Sequence, residues 1–477
     1  MFPSQDWSQA LANAKEKLKL PYDMRPFQEK TACALFNDQD VVLVSYTGSG
    51  KTVISPVTSL TKRSKPNKGK GVLLHLLPLN ELILEKTAKS ELRAGYILMG
   101  GEAKMQGEDA EPGEERRECD VSFSLGDIEQ GDINIIFAHP ESLSSAKGSK
   151  ILTHLLRNQL LLGVICDEFH KFLHWSVSEE EEEEAERKPK KRKTDNPIRE
   201  GMLDMLQEIR ARAPSVPFLL ETATLMKSEL ELTRKLLKMD KAVVICSSPV
   251  LDQHFFCTTK RPDQSYGFWG KADKAGAKKD GLIDFVRPLI IEPMKKIMAM
   301  PEAERKVMMV FCRDKDTLVA IDEVLCDELP EYGHLTVDSS PWVTMFANRG
   351  RQSERFIRKR TNVWCYLTTT VLEVGKHIPN VHWVVNIKPL CRLHDLLQAF
   401  GRSGRECSDG LKKAVCFTLW EGHDVGLGMK GMTDPVRDYV RTKGCLKECF
   451  DKYFALGPVK QRGESDWCCS NCFSRDL

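Results

Sequence analysis

The chain has 477 residues, enough for roughly three domains, and its 70 lysines and arginines nearly balance its 68 acidic residues. The resulting net charge of +2 excludes a uniformly basic nucleic-acid-binding protein, so any such surface must be a local groove. The 16 cysteines are scattered, several inside apolar runs, which indicates a reduced, intracellular protein. Because no apolar run approaches about eighteen residues, we expect no membrane partner.

Short apolar runs alternate with longer amphipathic stretches along the chain. Strands that alternate with helices predict parallel sheets with helices on both faces, so the fold class is α/β. Open sheets of this kind bind their ligands at the carboxyl ends of the strands, where the motifs described below fall. The runs are 41–45, 72–77, 133–138, 160–166, 217–220, 307–311, 363–368, 382–386 and 414–419.

The first apolar run leads into a sequence typical of a phosphate-binding loop. Glycines let backbone N–H groups close around phosphate oxygens, a lysine adds positive charge, and the last hydroxyl reaches a Mg²⁺ ion. The alternative is an ordinary glycine turn between a strand and a helix. The predicted ligands of ATP and magnesium here are Thr47, Gly48, Ser49, Gly50, Lys51 and Thr52, after Ser45 and Tyr46.

A second motif follows the buried run at 160–166. Asp167 and Glu168 stand at the predicted carboxyl end of a strand, which is the position that ATP hydrolysis requires. Asp167 would hold Mg²⁺ directly or through water, and Glu168 would orient and deprotonate the attacking water. His170 would hydrogen-bond to another motif. The alternative is a solvated acidic turn, which the phosphate loop earlier in the chain disfavours.

With these motifs the chain resembles the superfamily two helicases, because further motifs follow in the order of that family. The resemblance implies two RecA-like lobes with ATP between them. It also implies that Gly375 and Gln398 contribute to nucleotide binding and that Arg402 and Arg405 neutralise phosphoryl charge. The further motifs are Thr222-Ala223-Thr224, Phe311-Cys312-Arg313, Tyr366-Leu367-Thr368-Thr369-Thr370 and Gln398-Ala399-Phe400-Gly401-Arg402-Ser403-Gly404-Arg405.

Three features resemble the RecQ-like DNA helicases in particular. Arg25 and Gln28 match an element that holds adenine in that family, and the segment from Lys171 to Trp175 resembles its aromatic-rich coupling loop. A C-terminal group of cysteines resembles its helical hairpin zinc module. The resemblance implies 3′ to 5′ travel on DNA, a role in repair or recombination, and nucleic-acid contact or coupling by His170, Trp175, Thr222, Thr224 and Thr369.

The cysteine module predicts a zinc site with one unsettled ligand. Cys469 and Cys472 have the spacing of a zinc knuckle, and Cys445 matches the first ligand of the family. For the fourth ligand we expect Cys449, one helical turn beyond Cys445, with Cys468 and then Asp466 as alternatives. The other interpretation is a set of free cysteines near the terminus.

Two insertions have compositions of surface loops. Residues 99–120 are rich in glycine and glutamate, and residues 178–195 pass from a glutamate run into a basic run. The two halves of the second insertion would neutralise each other in a disordered loop. Alternatively, Lys190 to Lys193 act as a nuclear import signal, which predicts an import receptor as partner and location in the nucleus, with the cytoplasm as a second compartment.

The expected organisation is an ATP-binding lobe at 1–257, a linker at 258–281, a second lobe at 282–430 and a zinc module at 431–477. Three functions are compatible with this organisation. The first is a RecQ-like DNA helicase and the second is an RNA-directed helicase, because motor motifs do not read the 2′-OH. The third is a catalytically weak scaffold that binds ATP and nucleic acid. It is suggested by Glu373 and His377, which replace a glycine and an aspartate of the family's fifth motif, the one that begins here at Tyr366.

Overall fold

The structure is a computed structural model. It describes residues 5–46, 48–99, 119–177, 201–246, 253–261, 285–333, 341–345, 363–369, 378–404, 414–454 and 468–473, with the backbone alone at 174–177, 201–202, 303, 333 and 345. The chain divides into two compact units, Met1–Ser247 and Ser248–Leu477.

The first unit contains a twisted sheet whose central strands are short, apolar and rich in branched side chains. Central parallel strands are covered on both faces, which is why these runs are mostly apolar instead of alternating with polar residues. The strands are β1 (Val41–Val44), β2 (Val72–Leu76), β3 (Ala94–Leu98), β4 (Asp120–Val121), β5 (Ile135–Ala138), β6 (Leu161–Cys166), β7 (Phe218–Thr222) and β8 (Val243–Cys246).

The strand order in this sheet is β4-β3-β5-β2-β6-β7-β1-β8. Neighbouring strands are parallel except for the edge pair of β3 and β4. The carboxyl ends of β1, β2, β6 and β7 therefore meet at one edge of the sheet. The phosphate loop and the acidic motif both begin at this edge, because they follow β1 and β6 directly.

Helices in the first unit precede β1 or connect the strands that follow it. The second helix begins with Pro26 in its first turn, where a missing N–H costs little. The helix before β6 is capped by Ser145, whose hydroxyl accepts a hydrogen bond from the Gly148 N–H. The helices are α1 (Gln5–Lys17), α2 (Pro26–Phe36), α3 (Ile54–Arg63), α4 (Asn80–Ala88), α5 (Leu125–Gln130), α6 (Ala146–Arg157), α7 (Phe169–Val177), α8 (Gly201–Arg212) and α9 (Lys227–Leu237).

The second unit has a wholly parallel sheet of six strands in the order β11-β12-β10-β13-β14-β9. The strands are β9 (His254–Lys260), β10 (Val307–Cys312), β11 (Trp342–Met345), β12 (Cys365–Thr368), β13 (Val381–Ile387) and β14 (Ala414–Trp420). The helices are α10 (Glu292–Ala299), α11 (Lys315–Glu328), α12 (Pro330–Gly333), α13 (Leu393–Phe400), α14 (Asp434–Arg441), α15 (Leu446–Phe454) and α16 (Ser470–Phe473).

Strand β9 lies across the expected boundary between the first lobe and the linker. It pairs with β14 from His254 to Lys260, and the following Arg261 is buried against Glu421 at 3.0 Å. The second unit therefore begins before residue 257, and 258–260 belong to a strand instead of a linker. The rest of the expected linker, 262–281, lies outside the described residues.

Each unit has its own apolar core between sheet and helices. In the first unit, α2, α3 and α4 pack on one face of the sheet, and in the second unit α10 and α11 do the same. The predicted fold class is therefore confirmed: two RecA-like α/β units are followed by small helices that carry a cysteine cluster. Within the described part of the chain, no helix has the length and apolar character needed to cross a membrane.

Candidate functional site

The phosphate loop leaves β1 and turns into a short 3-10 helix, Lys51–Val53, that continues as α3. Gly48 and Gly50 both have a φ of 87°, a left-handed conformation that residues with a side chain adopt only with strain. The Lys51 ammonium donates to the Ser45 carbonyl at 2.8 Å and to the Tyr46 carbonyl at 3.3 Å. The loop thus has the form that the sequence predicts, and Thr47 lies outside the described residues.

Two buried hydroxyls test whether this loop fits a phosphate. Ser45 and Ser49 are fully buried, and neither hydroxyl has a hydrogen-bond partner among the described residues. Buried polar atoms are rarely left unsatisfied, so they indicate a polar ligand. The start of a helix also supplies free backbone N–H groups, which favour an anion. Thr52 is exposed at the start of the same helix, where its hydroxyl is accessible to a metal ion.

Arg25 and Gln28 contact the phosphate loop directly. The Arg25 guanidinium donates to the Ser49 carbonyl at 2.9 Å, and the Gln28 amide donates to the Gly50 carbonyl at 2.8 Å. The Gln28 carbonyl oxygen accepts from the Arg25 backbone N–H at 2.7 Å. Both side chains therefore hold the loop in place, and the adenine contact implied by the family resemblance stays a prediction.

Asp167 follows β6 and is held by a lysine that the motif does not include. Lys86 on α4 donates to Asp167 Oδ2 at 2.7 Å, and the Glu168 N–H donates to Asp167 Oδ1 at 3.0 Å. Burial raises the pKa of Asp167, but the charges of Lys86 and Lys51 and the hydrogen bond from Lys86 act together with its other neighbours to leave that pKa below its usual range. Asp167 is therefore an anion at neutral pH, as a magnesium ligand must be.

The acidic motif is joined to the motif after β7 by a buried hydrogen bond. His170 Nδ1 lies 2.9 Å from Thr222 Oγ1, and the Thr222 hydroxyl donates to the Thr224 carbonyl at 2.8 Å. A hydroxyl has one proton, so Thr222 accepts from His170. Both threonines are buried, which fits a role in coupling and does not fit direct contact with nucleic acid in this conformation. Glu168 has a φ of 53°, a left-handed conformation that is unfavourable for a residue with a side chain.

Two further buried groups beside Asp167 escaped the sequence analysis. Glu221 stands on β7 and His75 on β2, and each lies within 4.8 Å of the Asp167 carboxylate, measured between potential ligand atoms. Burial, and then the charge of Asp167, raise the pKa of Glu221 to about 8. Burial also keeps the pKa of His75 well below its usual value. Neither residue belongs to a linear motif, so only the pairing of β2, β6 and β7 reveals the group.

The sequence matches two families of known proteins. The DEAD/DEAH box helicase family matches residues 25–233, and the helicase conserved C-terminal domain matches residues 291–407. Together the two matches cover more than half of the chain. The chain belongs to the superfamily two helicases. The protein is accordingly a nucleic-acid-dependent ATPase that uses ATP with a divalent metal ion.

Solved structures of helicases share this fold. Dbp5 of S. cerevisiae, bound to RNA and ADP BeF3, is 16% identical with a TM-score of 0.50 over 97% of this chain and 95% of its own. The Mycobacterium smegmatis helicase Lhr, bound to ssDNA and AMP-PNP, is 13% identical with a TM-score of 0.54 over 88% of this chain and 48% of its own. The DEAD-box helicase Mss116, bound to ssRNA, is 14% identical with a TM-score of 0.53 over 91% and 74%. A comparison with curated proteins finds no match in sequence.

In the second unit of the helicase, several predicted residues are buried. Arg402 follows α13 and is 4% exposed, while Gln398 lies within that helix and Thr369 follows β12. The backbone of Trp175 lies in α7, and its side chain is outside the described part. Other predicted features also fall outside the described residues: Gly375, Arg405, Glu373, His377, Asp466, most of the insertion at 99–120, and the insertion at 178–195 with its basic run.

Four cysteines of the helicase come together at the C-terminal end. The sulfur atoms of Cys445, Cys468, Cys469 and Cys472 lie within 4.8 Å of one another. Cys445 and Cys468 are 3.5 Å apart at their sulfur atoms, which is too long for a disulfide and near the separation of about 3.8 Å expected around a tetrahedral zinc ion. A hydrogen bond from Cys445 lowers the pKa of Cys469 below its usual value, which favours the thiolate form that binds zinc.

The expectation that Cys449 is the fourth member of this group is wrong. Cys449 is buried in α15, and burial raises its pKa to about 11. Cys468 takes its place because its carbonyl accepts a hydrogen bond from the Phe256 N–H at 3.2 Å, which fixes the returning chain beside β9. Cys449 was predicted from its spacing of one helical turn from Cys445, and this local spacing carries no information about the contact between Cys468 and β9.

Proposed function

We propose that the protein is an ATP-dependent DNA helicase and translocase of the RecQ-like type, with 3′ to 5′ polarity, acting in DNA repair or recombination. The observation that carries this proposal is the four-cysteine cluster attached to β9, because such a module resembles the zinc module of that family. The contacts of Arg25 and Gln28 with the phosphate loop support it.

The nucleotide site works through residues at the edge of the first sheet. The loop from Gly48 to Thr52 binds the phosphates, and Lys51 exchanges its two carbonyl partners for phosphate oxygens. Magnesium, when bound near Thr52 and Asp167, offsets negative charge on the phosphates. Glu168 orients water and accepts its proton.

Coupling to nucleic acid runs through the buried bond between His170 and Thr222. This bond links the acidic motif after β6 to the motif after β7, so a change at one motif displaces the other. The Ser45 N–H also donates to the Thr222 carbonyl at 2.9 Å, which joins both motifs to the phosphate loop. We assign Arg402 and Arg405 to phosphoryl charge neutralisation by the family resemblance.

The cysteine cluster binds a structural zinc ion in this proposal. Zinc prefers four thiolate or imidazole ligands in a tetrahedron, and the cluster supplies four sulfur atoms within 4.8 Å of one another. The Leu446 N–H donates to Cys469 Sγ at 3.4 Å, as N–H groups do around bound thiolates. Zinc at this position would hold α15 and α16 on β9.

The choice of DNA over RNA rests on the cysteine cluster. Helicases of similar fold include Dbp5 and Mss116, bound to RNA, and Lhr and MrfA, bound to DNA. Fold alone therefore supports an RNA-directed helicase equally, and that is the second candidate function.

Unwinding assays with tailed duplexes test the proposal. A duplex with a 3′ single-stranded DNA tail should be separated, while a 5′ tail and a 3′ RNA tail of matched sequence should be poor substrates. Preference for the RNA tail would favour the second candidate, and preference for the 5′ tail would refute the polarity.

We also propose a nuclear location for this protein, from the basic run at Lys190 to Lys193. Neutralising these residues in a tagged protein should leave it in the cytoplasm. Unchanged nuclear entry of the altered protein would refute the import signal.

A further inference from the structure

Three side chains that belong to no helicase motif as a set converge at the carboxyl edge of the first sheet. His75 on β2, Asp167 after β6 and Glu221 on β7 come from three adjacent strands. One potential ligand atom from each lies within 4.8 Å of the others. His75 and Glu221 are each 1% exposed, so solvent does not satisfy their polar atoms.

Two of these side chains have unused polar atoms. Within the described part of the chain, neither His75 Nε2 nor Glu221 Oε1 has a hydrogen-bond partner. His75 Nδ1 lies 2.9 Å from the Ser55 hydroxyl, which accepts a hydrogen bond from Nδ1–H in the tautomer that leaves a lone pair on Nε2. Histidines that bind metals are usually oriented in this way by a second partner.

The charges of the group favour a cation. Asp167 and Glu221 are close carboxyl groups in a buried setting, and Lys86 contacts only the first of them, at Asp167 Oδ2. Lys51 lies nearby and donates to loop carbonyls. A divalent ion would offset the negative charge of both carboxyl groups once Glu221 is ionised and would use the lone pair of His75, while the Lys86 ammonium would compete with it for Asp167.

We propose that His75, Asp167 and Glu221 form a binding site for a divalent first-row transition-metal ion. Magnesium takes oxygen ligands, whereas an imidazole nitrogen suits first-row transition-metal ions, and the two carboxylates also suit the harder of these ions, such as Mn²⁺. The three ligands leave coordination positions open for water or phosphate oxygens. Asp167 belongs to this site and to the nucleotide site. Metal binding itself does not depend on the proposed function, but any effect of the metal ion on ATP turnover rests on it.

Direct titration with Mn²⁺ tests the site without nucleotide. Manganese is the probe because it prefers oxygen and nitrogen ligands and therefore avoids the cysteine cluster. Binding to the full chain is followed by the loss of the electron paramagnetic resonance signal of free Mn²⁺. We expect one Mn²⁺ per chain, with affinity reduced about tenfold or more in Glu221→Gln and His75→Leu.

Two further variants distinguish loss of a ligand from misfolding. His139→Gln removes another buried imidazole of the first unit and should leave Mn²⁺ affinity unchanged. Lys86→Met removes the competing ammonium and should tighten Mn²⁺ binding, a gain that misfolding does not produce.

The outcomes separate this inference from the proposed function. Absence of Mn²⁺ binding, or equal affinity in the wild type, Glu221→Gln and His75→Leu, would overturn the site. If magnesium-supported ATP turnover continued in that case, the proposed function would stand. Mn²⁺ binding that depends on His75 and Glu221 would support the site even in a preparation without DNA-stimulated turnover.

Discussion

At the scale of single residues, the backbone of Gly50 sets the shape of the phosphate loop. Its φ of 87° is strained for any residue with a Cβ atom, and a Cβ at this position would lie 2.8 Å from Gln28 Nε2. Gly50→Ala should therefore lower the free energy of unfolding by about 1–2 kcal/mol and weaken ATP binding.

Urea unfolding and ATP titration of Gly50→Ala measure both effects. Gly69→Ala is the matched control, because a Cβ at Gly69 would meet no atom within 4 Å. Equal stability and ATP affinity of Gly50→Ala and the wild type would contradict the loop conformation described for this chain.

Buried histidines make the stability of the first unit depend on pH. Burial lowers the pKa of His139 to about 4, and that of His75 lies well below its usual value. The unfolded chain then binds more protons than the folded chain as pH falls from about 6.5 towards 4, so stability is full above this range and declines within it. His139 alone should cost about 2 kcal/mol at pH 5 relative to pH 8.

Unfolding by urea at pH 8 and pH 5 measures this loss. His139→Gln has no imidazole at this position and should lose about 2 kcal/mol less than the wild type between the two pH values. The same pH dependence in both proteins would show that His139 is protonated in the folded state.

Sequence reasoning at this scale found the residues that belong to linear motifs and missed those that act across strands. Lys51, Asp167 and His170 stand at fixed places relative to predicted strand ends, and the structure places them at the edge of the sheet. Lys86 lies inside a helix and Glu221 inside a strand. In the sequence, each is a single charged residue that matches no motif. Their proximity to Asp167 depends on the strand order of the sheet, which a single sequence does not supply.

At the scale of elements, each of the nine predicted apolar runs overlaps a strand of one of the two sheets. Three of the strands that were not predicted, β4, β8 and β11, lie at sheet edges, and a fourth, β3, lies next to an edge and has only alternate residues buried, which weakens the apolar pattern. The fifth, β9, contains aromatic residues but follows the first lobe in sequence, so it was assigned to the lobe and the linker. Its pairing with β14 is a long-range contact that no local pattern predicts.

The cysteine cluster gives the prediction that belongs to this scale. Cys468→Ser should lose zinc, because it removes one of four sulfur ligands, whereas Cys449→Ser should retain it. Elemental analysis of the purified proteins measures the zinc content. Both substitutions replace a buried cysteine, so Cys449→Ser controls for the loss of a buried thiol.

Zinc removal should also destabilise the second unit. The cluster holds the chain end on β9, and structural zinc contributes to folding stability directly. Retention of one zinc per chain in Cys468→Ser, or its loss in Cys449→Ser, would contradict the ligand set.

At the scale of the whole molecule, two RecA-like units make a nucleic-acid-dependent ATPase. The ordered motifs predicted this superfamily correctly, because each motif follows a strand end and the order is fixed by the topology. These motifs do not distinguish DNA from RNA, because phosphates and bases are common to both nucleic acids. The RecQ-like type therefore stays a proposal that depends on the cysteine cluster.

Steady-state ATP hydrolysis measures this central proposal most directly. The purified chain is assayed with no nucleic acid, with single-stranded DNA and with single-stranded RNA of the same sequence, and Lys51→Ala serves as the inactive control. We predict strong stimulation by DNA, weak stimulation by RNA and no turnover by Lys51→Ala. Equal or greater stimulation by RNA, or normal turnover by Lys51→Ala, would contradict the account.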